Sequence, residues 1–169
     1  MTHVLGAKSR ANLIGVAPPL AVLIPLALAR CPVDFGITEK QVRTVAEQRE
    51  KVRQGVSKTM KSRHLVRPDG FGHAVDLVPW IDGKFQWGDG QWRVRTAAGV
   101  MLEPFFDIAA AMQEVAIEAD VSLIWGAVWD QPLNRLPHGA KGMKAALQAY
   151  KVRHPGPDFV DGPHFELAS

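Results

Sequence analysis

Histidines and carboxylates lie close together in one stretch of this sequence, KSRHLVRPDGFGHAVDLVP, which runs from Lys61 to Pro79. Neutral imidazoles and carboxylates are ligands for a divalent metal ion, and both groups can also move protons in catalysis. The same residue types are common in turn-rich surface loops, so the stretch is either such a loop or half of a metal site. The residues concerned are His64, Asp69, His73 and Asp76.

A second stretch, DGPHFEL from Asp161 to Leu167, places an acid three residues before a histidine. The single cysteine, Cys31, excludes an internal disulfide and a four-cysteine zinc site, so a metal would need histidine and carboxylate ligands. Three histidines are poor candidates because they lie at the terminus or beside Pro and Gly in apparent loops: His3, His138 and His154. The remaining candidates are His64, His73 and His164.

Taken together, the two stretches resemble a family of zinc peptidases that includes D-alanyl-D-alanine carboxypeptidases and phage L-alanyl-D-glutamate endopeptidases. The family pattern is Ser-x-His, a short connection, Gly-x-Ala-x-Asp and, much later, Asp/Glu-x-x-His. This chain matches the pattern at Ser62–His64, Gly72–Asp76 and Asp161–His164. The preceding segment, PVDFGITE followed by RTVAEQREKVRQGVSKTMKSRH, resembles the lead-in of phage endolysins in this group, so the resemblance covers most of the chain.

The resemblance implies a zinc ion held by His64, Asp76 and His164, with Asp161 as the general base that activates water. These residue types suit the chemistry, because two neutral imidazoles and one carboxylate leave the ion with a net positive charge that lowers the pKa of water. A nearby carboxylate can take the proton and pass it to the leaving amine. Arg43 matches an arginine that faces the substrate in relatives, where it would bind a carboxylate or the developing oxyanion.

Four further residues are weaker candidates for contacts with the substrate or with the ligands. Ser62 is expected to support the loop that carries the first histidine, and Gln48 is expected near the wall of the site. The alternation of a strand turns His73 to the face opposite Asp76, which predicts a supporting or surface position. Trp125 is expected in the core or in the wall of a groove.

The chain departs from the family pattern in several places. The connection between the first two expected ligands is longer than in the shortest relatives, and Val66–Phe71 predicts a solvent-facing turn that keeps Asp69 away from the metal. Lys40–Gln41 replaces a glycine of relatives, so the placement of Arg43 is an open point. The segment Asp130–Asp158 is longer than expected and adds a helix.

The pattern of the whole chain predicts an α+β fold with a small antiparallel sheet flanked by helices. Helices and strands are interspersed, but the strands are short and do not alternate regularly with helices, which disfavours a doubly wound sheet. The resemblance implies a Hedgehog- and DD-peptidase-like architecture. We expect a single zinc peptidase domain over residues 1–169, without a separate wall-binding domain.

Local signals predict the individual elements. Thr44 and Glu47 form a capping-box pattern that starts a helix over Val45–Gln54, and the Asp-Gly pair of IDGKF predicts a hairpin turn. The other predicted helices are Ser9–Ile14, Ala17–Ala29 with a kink at Pro25, Glu103–Ala119 and Gly142–Arg153. The predicted strands are Val33–Thr38, His73–Trp80, Val121–Trp125 and Pro163–Ala168.

The charge and the apolar runs of the sequence limit the kinds of binding partner to be expected. The net charge of +3 comes with a basic excess between Lys40 and Arg67, which fits a solvated helix face, an anionic cell wall or nucleic acid. No ribonucleoprotein or helix-turn-helix pattern is present, so a nucleic-acid partner is not expected. The apolar run Ala17–Ala29 is shorter than the ~20 residues of a bilayer span, so stable membrane insertion is not expected. We expect a monomer whose partner is the stem peptide of peptidoglycan.

Three functions are compatible with these residues. The lead-in favours a phage lysis enzyme, a zinc endopeptidase that cleaves the L-alanyl-D-glutamate bond of peptidoglycan stem peptides. A D-alanyl-D-alanine carboxypeptidase would use the same metal machinery. A non-catalytic, metal-stabilised wall-binding module is disfavoured, because a structural site has no need of a base such as Asp161. In the absence of a targeting signal, we expect the protein in the host cytoplasm until a separate factor such as a holin releases it to the wall.

Overall fold

The computed structural model describes residues 2–57, 59–90, 92–156 and 159–168. Over this part of the chain it confirms the predicted α+β fold, with short antiparallel strand pairs beside helices. The helices are α1 (Ala7–Asn12), α2 (Pro18–Ala21), α3 (Leu23–Arg30), α4 (Val45–Arg53), α5 (Pro104–Glu118) and α6 (Gly139–Arg153), with a 3₁₀ turn at Leu133–Arg135. The strands are β1 (Phe35–Gly36), β2 (Ala74–Asp76), β3 (Val78–Ile81), β4 (Lys84–Phe85), β5 (Val94–Arg95), β6 (Met101–Leu102), β7 (Leu123–Trp125) and β8 (His164–Leu167).

The described strands form three small sheets rather than one. The first has the order β2-β8-β7, with Asp76 opposite His164 and Trp125 opposite Phe165. The second has the order β1-β3-β4, and β5 pairs with β6. The β2-β8-β7 sheet therefore joins the two distant stretches that carry the expected ligands.

The central helix of the core is α5, most of whose residues are buried. Helices α3 and α6 both pack against it. Helix α6 belongs to the unexpectedly long segment Asp130–Asp158 and buries Met143, Leu147 and Tyr150. It begins at Gly139, three residues before the predicted Gly142. Helix α6 therefore covers part of the core.

The apolar run near the N-terminus forms two helices, as the predicted kink implies. Helix α2 ends at Ala21 and α3 begins at Leu23. Pro25 explains the break, because proline has no N–H to donate and its ring clashes with the carbonyl four residues earlier, which is that of Ala21. No helix in the described ranges combines the length and the apolarity needed to cross a bilayer.

The capping box that precedes α4 is confirmed. The Thr44 hydroxyl accepts a hydrogen bond from the Glu47 N–H at 3.2 Å, and the Glu47 carboxylate accepts one from the Thr44 N–H at 2.6 Å. The helix ends at Arg53, one residue before the predicted end. Arg43 consequently lies just before a well-defined helix start, as predicted.

The prediction of one strand over His73–Trp80 is wrong. The chain changes sheets at Leu77, between β2 and β3, and the Leu77 N–H donates to the Pro163 carbonyl at 2.9 Å. Beyond this point β3 pairs with β1 and β4 instead of β8. The alternating pattern from which this strand was predicted shows which face a residue occupies, but it cannot show which neighbouring strand each half of the segment pairs with.

The sequence predicts the β3–β4 hairpin but not the β5–β6 hairpin. Asp82 and Gly83 have φ values of 53° and 76°, and they connect Ile81 to Lys84 in the predicted Asp-Gly hairpin, which is confirmed. The hairpin of β5 and β6 was not predicted, because each strand has only two residues and shows no alternation. The first helix also lies earlier than predicted, at Ala7–Asn12 instead of Ser9–Ile14.

Candidate metal centre

Two of the expected ligands lie opposite each other on neighbouring strands. Asp76 ends β2 and His164 begins β8, and the antiparallel register pairs them directly. Side chains of directly opposite residues point to the same face of a sheet. The ring Nδ1 of His164 lies 3.1 Å from Asp76 Oδ1, so strand pairing joins residues that are 88 positions apart.

His64 reaches the same point from the turn that precedes β2. Its backbone carbonyl accepts from the Arg43 N–H at 2.8 Å, and its own N–H donates to Ser62 Oγ at 3.2 Å. Its ring Nδ1 lies 2.9 Å from the Gln41 carbonyl oxygen, and its ring Nε2 lies 3.4 Å from Asp76 Oδ1. The buried imidazole is therefore held at the backbone and at both ring nitrogens.

The spacing of the three ligand atoms fits a tetrahedral metal ion. Ligand atoms at zinc distances of about 2.0–2.2 Å and tetrahedral angles lie about 3.3–3.6 Å from each other. Asp76 Oδ1 lies 3.4 Å from His64 Nε2 and 3.1 Å from His164 Nδ1, and all three ligand atoms lie within 4.8 Å of one another. The residues present can therefore hold a divalent cation through two nitrogens and one carboxylate oxygen.

The rings of His64 and His164 are each oriented by a hydrogen-bond acceptor at the ring nitrogen that does not face Asp76. The Nδ1 of His64 donates to the Gln41 carbonyl, which leaves the lone pair of Nε2 for a metal ion. The Nε2 of His164 lies 3.0 Å from Glu166 Oε2, and Glu166 also forms an ion pair with Arg63 at 3.4 Å. Such acceptors set the ring orientation and the tautomer of metal-binding histidines.

The ligands are strongly coupled electrostatically. Burial alone would raise the pKa of Asp76, but the neighbouring rings of His164 and His64 outweigh it and hold the pKa of this carboxyl well below its usual value. Burial would lower the pKa of His164, but hydrogen bonds to Asp76 and Glu166 raise that pKa to about 10. At neutral pH the metal-free pair is therefore a carboxylate and an imidazolium, and a metal ion must displace a proton to bind His164.

Asp161 lies in the turn that leads into β8. Its N–H donates to the Gly126 carbonyl at 2.8 Å, and its own carbonyl accepts from the His164 N–H at 3.2 Å. Gly126 permits this approach, because a Cβ there would lie 2.4 Å from the Asp161 carbonyl oxygen. Burial raises the pKa of Asp161, and the charge of Asp76 raises it further. Such a carboxyl is suited to exchange protons closer to neutral pH than an ordinary aspartate.

Arg43 also faces the ligands. Its Nη2 lies 3.9 Å from Asp76 Oδ2, and its Nη1 donates to Gln48 Oε1 at 3.3 Å. Gln48 is fully buried, and its Nε2 donates to Ser57 Oγ and to the Thr59 carbonyl, each at 2.7 Å. Among the described residues, the buried Nε of Arg43 has no hydrogen-bond partner. The guanidinium is therefore fixed beside the ligands, and its Nε–H is left as an additional hydrogen-bond donor.

A cleft opens onto the three ligands, and its walls differ in chemistry. One wall is aromatic: the Trp129 ring packs against the His164 ring with centroids 5.4 Å apart, and Phe159 stacks on Trp129 at 6.4 Å. The remaining lining is largely polar and carries both basic and acidic groups, so a bound peptide would meet apolar, cationic and anionic surfaces. This part of the lining includes Glu39, Arg43, Ser57, Thr59, Lys61, Ser62, Arg63 and Asp161.

Comparison with known proteins identifies the family. Residues 1–139 match the family described as phage L-alanyl-D-glutamate peptidase. The chain belongs to this family. The L-alanyl-D-glutamate peptidase of Escherichia phage T5 is 30% identical over 133 residues, which cover 77% of this chain and 84% of the phage T5 protein. The crystal structure of the Serratia marcescens L-Ala D-Glu endopeptidase ChiX matches with a TM-score of 0.63 and 30% identity, over 98% of this chain and 90% of ChiX.

These matches confirm the resemblance drawn from the motifs, and this family member is an L-alanyl-D-glutamate peptidase. The family match ends at residue 139, before Asp161 and His164. The position of these two residues in the site therefore rests on the fold, through the pairing of β8 with β2.

Trp125 lies in the core, which is one of the two positions expected for it. Of the two tryptophans in WGAVW, Trp129 lines the described part of the cleft and Trp125 does not. Trp125 is fully buried, and its indole N–H donates to the Gly162 carbonyl at 2.8 Å. Since Gly162 follows Asp161, Trp125 supports the turn of the site from within the core.

His73 and Asp69 lie away from the ligands. The His73 Nε2 bonds to Asp69 Oδ2 at 2.7 Å, on the sheet face opposite Asp76, as strand alternation predicted. Asp69 lies in the exposed Arg67–Gly70 turn, closed by a bond from the Gly70 N–H to the Arg67 carbonyl at 2.9 Å. The predicted solvent-facing turn is therefore confirmed.

Two further residues hold central positions in the site. Glu166, whose carboxyl is the alternative to Asp161 as base, had a signal in the sequence, because a residue two positions after His164 in a strand shares its face. Gln41 had none, because its contacts with His64 and Asp76 depend on the tertiary fold.

Metal affinity should depend steeply on pH. Because His164 has a pKa of about 10 in the metal-free protein, it is protonated at pH 7, and binding at Nδ1 requires loss of that proton. The apparent zinc dissociation constant should therefore rise about tenfold for each unit of pH lowered from about 9 to about 7. Competition with a chelator of known affinity across this range measures the slope.

A variant of the acceptor provides the control. Glu166→Gln removes one of the two hydrogen-bonded charges that raise the pKa of His164, so this pKa should fall. The zinc dissociation constant should then stop changing with pH at the alkaline end of the range first. A pH-independent affinity in the unmodified protein would contradict the protonated state assigned to His164.

Gly126→Ala should displace the Asp161–His164 turn. The added Cβ would lie 2.4 Å from the Asp161 carbonyl oxygen, which cannot move aside like a flexible side chain. We expect a loss of unfolding free energy of about 1–3 kcal/mol, together with weaker metal binding. The control is Gly6→Ala, where the new Cβ has no neighbour within 4 Å and φ is −65°. Urea unfolding and chelator competition test both variants; equal results would exclude the steric role of Gly126.

Proposed function

We propose that this family member is a zinc metallopeptidase that hydrolyses the L-alanyl-D-glutamate bond in peptidoglycan stem peptides and serves as a phage endolysin. The observation that carries the proposal is the convergence of His64, Asp76 and His164 into one ligand group, with the partly buried carboxyl of Asp161 in the same cleft. The phage T5 relative and ChiX are both named as peptidases for this bond.

The donor set favours zinc. Catalytic zinc sites take three protein ligands from His and carboxylates and leave one position open. Magnesium and calcium prefer oxygen ligands, which the two imidazoles do not provide. When bound, zinc supplies Lewis-acid activation of the scissile carbonyl and of water. The cleft above the ligands leaves room for the substrate on that side.

Asp161 is the proposed general base. Its carboxylate takes a proton from the attacking water and later delivers it to the leaving amine of D-glutamate. The raised pKa of Asp161, caused first by burial and then by the charge of Asp76, brings proton release closer to neutral pH. The hydrogen bond between the Asp161 carbonyl and the His164 N–H fixes the base relative to a ligand.

Arg43 is the proposed stabiliser of the developing oxyanion. The sequence left two roles open for it, binding a substrate carboxylate or binding the oxyanion. Its guanidinium lies 3.9 Å from the carboxylate of Asp76, beside the ligands rather than at the rim of the cleft. This position favours a contact with the reacting carbonyl oxygen.

Two basic side chains of the cleft suit an anionic substrate. Lys61 and Arg63 line the cleft, with Arg63 also paired to Glu166 at 3.4 Å, and the substrate carries the α-carboxylate of D-glutamate next to the scissile bond. Trp129 and Phe159 provide the apolar wall on which neutral parts of the stem peptide can pack.

Location and assembly are part of the same proposal. The enzyme acts as a monomer and stays in the host cytoplasm until a separate factor such as a holin gives it access to the wall. The supporting observation is that residues 1–139 match a family of phage peptidases.

Digestion of purified wall fragments tests the function. We expect new amino termini on D-glutamate, identified by mass spectrometry, and no release of free D-alanine. The activity should disappear after treatment with a chelator and return when zinc is added. Free D-alanine would point to a carboxypeptidase, and wall binding without cleavage would point to a non-catalytic module.

Asp161→Asn should separate metal binding from catalysis. The amide cannot accept the proton from water, so the rate should fall by about 10²–10⁴-fold. Zinc content and binding of wall fragments should stay near those of the unmodified protein, because the metal ligands remain intact. Turnover, metal content and fragment binding are measured on the same preparation.

Asp69→Asn is the matched control for this substitution. Asp69 lies in an exposed turn and bonds to His73, so its loss should leave both rate and zinc content nearly unchanged. Near-normal turnover of a zinc-loaded Asp161→Asn enzyme would move the role of base to another residue, with Glu166 the first to examine.

A further inference from the structure

Gln41 contacts two of the three metal ligands at once. Its side-chain Oε1 accepts a hydrogen bond from the backbone N–H of Asp76 at 2.8 Å, and its backbone oxygen accepts one from His64 Nδ1 at 2.9 Å. These ligands follow Gln41 by 35 and 23 positions, so the three residues meet only through the fold. The two ligands are therefore connected through atoms of a single residue.

Gln41 is itself held firmly. Its N–H donates to the Asn12 carbonyl at 3.1 Å, and its Nε2 donates to the Glu39 carbonyl at 2.7 Å. The residue is 0% exposed, and each of its polar groups has a partner. A buried amide bonded in this way has one favoured position, because rotation would leave a desolvated donor or acceptor unpaired.

The neighbouring backbone strengthens the arrangement. The Arg43 N–H donates to the His64 carbonyl at 2.8 Å, so the segment 41–43 bonds His64 at both its ring and its backbone. The position of His64 relative to Asp76 is thus set by one short segment that precedes α4.

We propose that Gln41 is a positioning residue of the metal centre, which presets the 3.4 Å distance between His64 Nε2 and Asp76 Oδ1 before the cation binds. The inference rests on the proposed metal site and assigns its preorganisation to a residue outside the matched motifs. Partners that orient metal ligands typically contribute about 10–100-fold to metal affinity.

A second buried glutamine allows a matched comparison. Gln113 is also 0% exposed, and its Nε2 donates to the carbonyls of Leu133 and Leu136 at 2.9 and 2.7 Å. These partners belong to the 3₁₀ turn and its end, not to the ligand group. Loss of either amide should destabilise the fold, but only loss of the Gln41 amide should change the metal site.

The experiment compares Gln41→Met with Gln113→Met, because methionine keeps the approximate volume and removes the amide. Both proteins are first shown to be folded without metal by circular dichroism, and their unfolding in urea is measured. Zinc dissociation constants then come from chelator competition. We expect Gln41→Met to bind zinc about 10–100-fold more weakly and Gln113→Met to bind like the unmodified protein.

Gln41→Glu tests whether the side-chain oxygen of Gln41 is the atom that supports zinc affinity. Glutamate keeps an oxygen in reach of the Asp76 N–H, so its zinc affinity should lie between those of the unmodified protein and Gln41→Met. Zinc affinity of Gln41→Met equal to that of the unmodified protein, or an equal loss in both methionine variants, would overturn the inference. An unmodified protein that binds no zinc would instead reject the proposed function.

A measurement without substitution covers the case in which Gln41→Met does not fold. Because the Asp76 N–H donates to Gln41, its hydrogen exchange in the metal-free, unmodified protein reports whether the contact exists before the metal binds. Slow exchange is expected. Exchange at the rate of an unstructured peptide would overturn the preset geometry.

Discussion

The arrangement of this enzyme depends on holding the partly buried carboxylate of Asp76 between two imidazoles. A buried charge is costly unless it is paired and hydrogen-bonded, and here His164 at 3.1 Å, His64 at 3.4 Å and the adjacent guanidinium of Arg43 provide the pairing. Meeting that requirement brings together β2, β8, the turn before β2 and the segment before α4. The small sheets and the helices around them can be understood as the support that keeps these four segments in contact.

Features set by neighbouring residues could be predicted from the sequence. The capping box at Thr44, the Asp-Gly hairpin at Asp82 and the outward direction of His73 each depend on a few residues, and all three are confirmed. The ligand set came from the family resemblance, and the fold brings its members within bonding range. Features set by distant contacts could not be predicted: the change of sheet at Leu77 depends on Pro163, and the position of Gln41 depends on two ligands far along the chain.

The segment that contains α6 leaves the site and returns to it. Between Trp129 and Asp161 the chain forms α6, and the two ends of this excursion stay joined. The Trp129 indole N–H donates to the Phe159 carbonyl at 2.7 Å, and the Asp161 N–H donates to Gly126 at 2.8 Å. Bonds at the base of the excursion therefore return the chain to β8 in the same register, while α6 covers the core beyond them.

In the proposed mechanism, metal binding and proton transfer would be coupled. In the metal-free protein the imidazolium of His164 balances the charge of Asp76, while burial and that same carboxylate raise the pKa of Asp161. A divalent cation held by His64, Asp76 and His164 would replace one proton and add a net positive charge, which would favour the ionised form of Asp161. The proposed base would therefore be most fully ionised when the cation is present. One bound charge would then act on both carboxylates, because Asp76 ends β2 and Asp161 lies in the turn that leads into the paired strand β8.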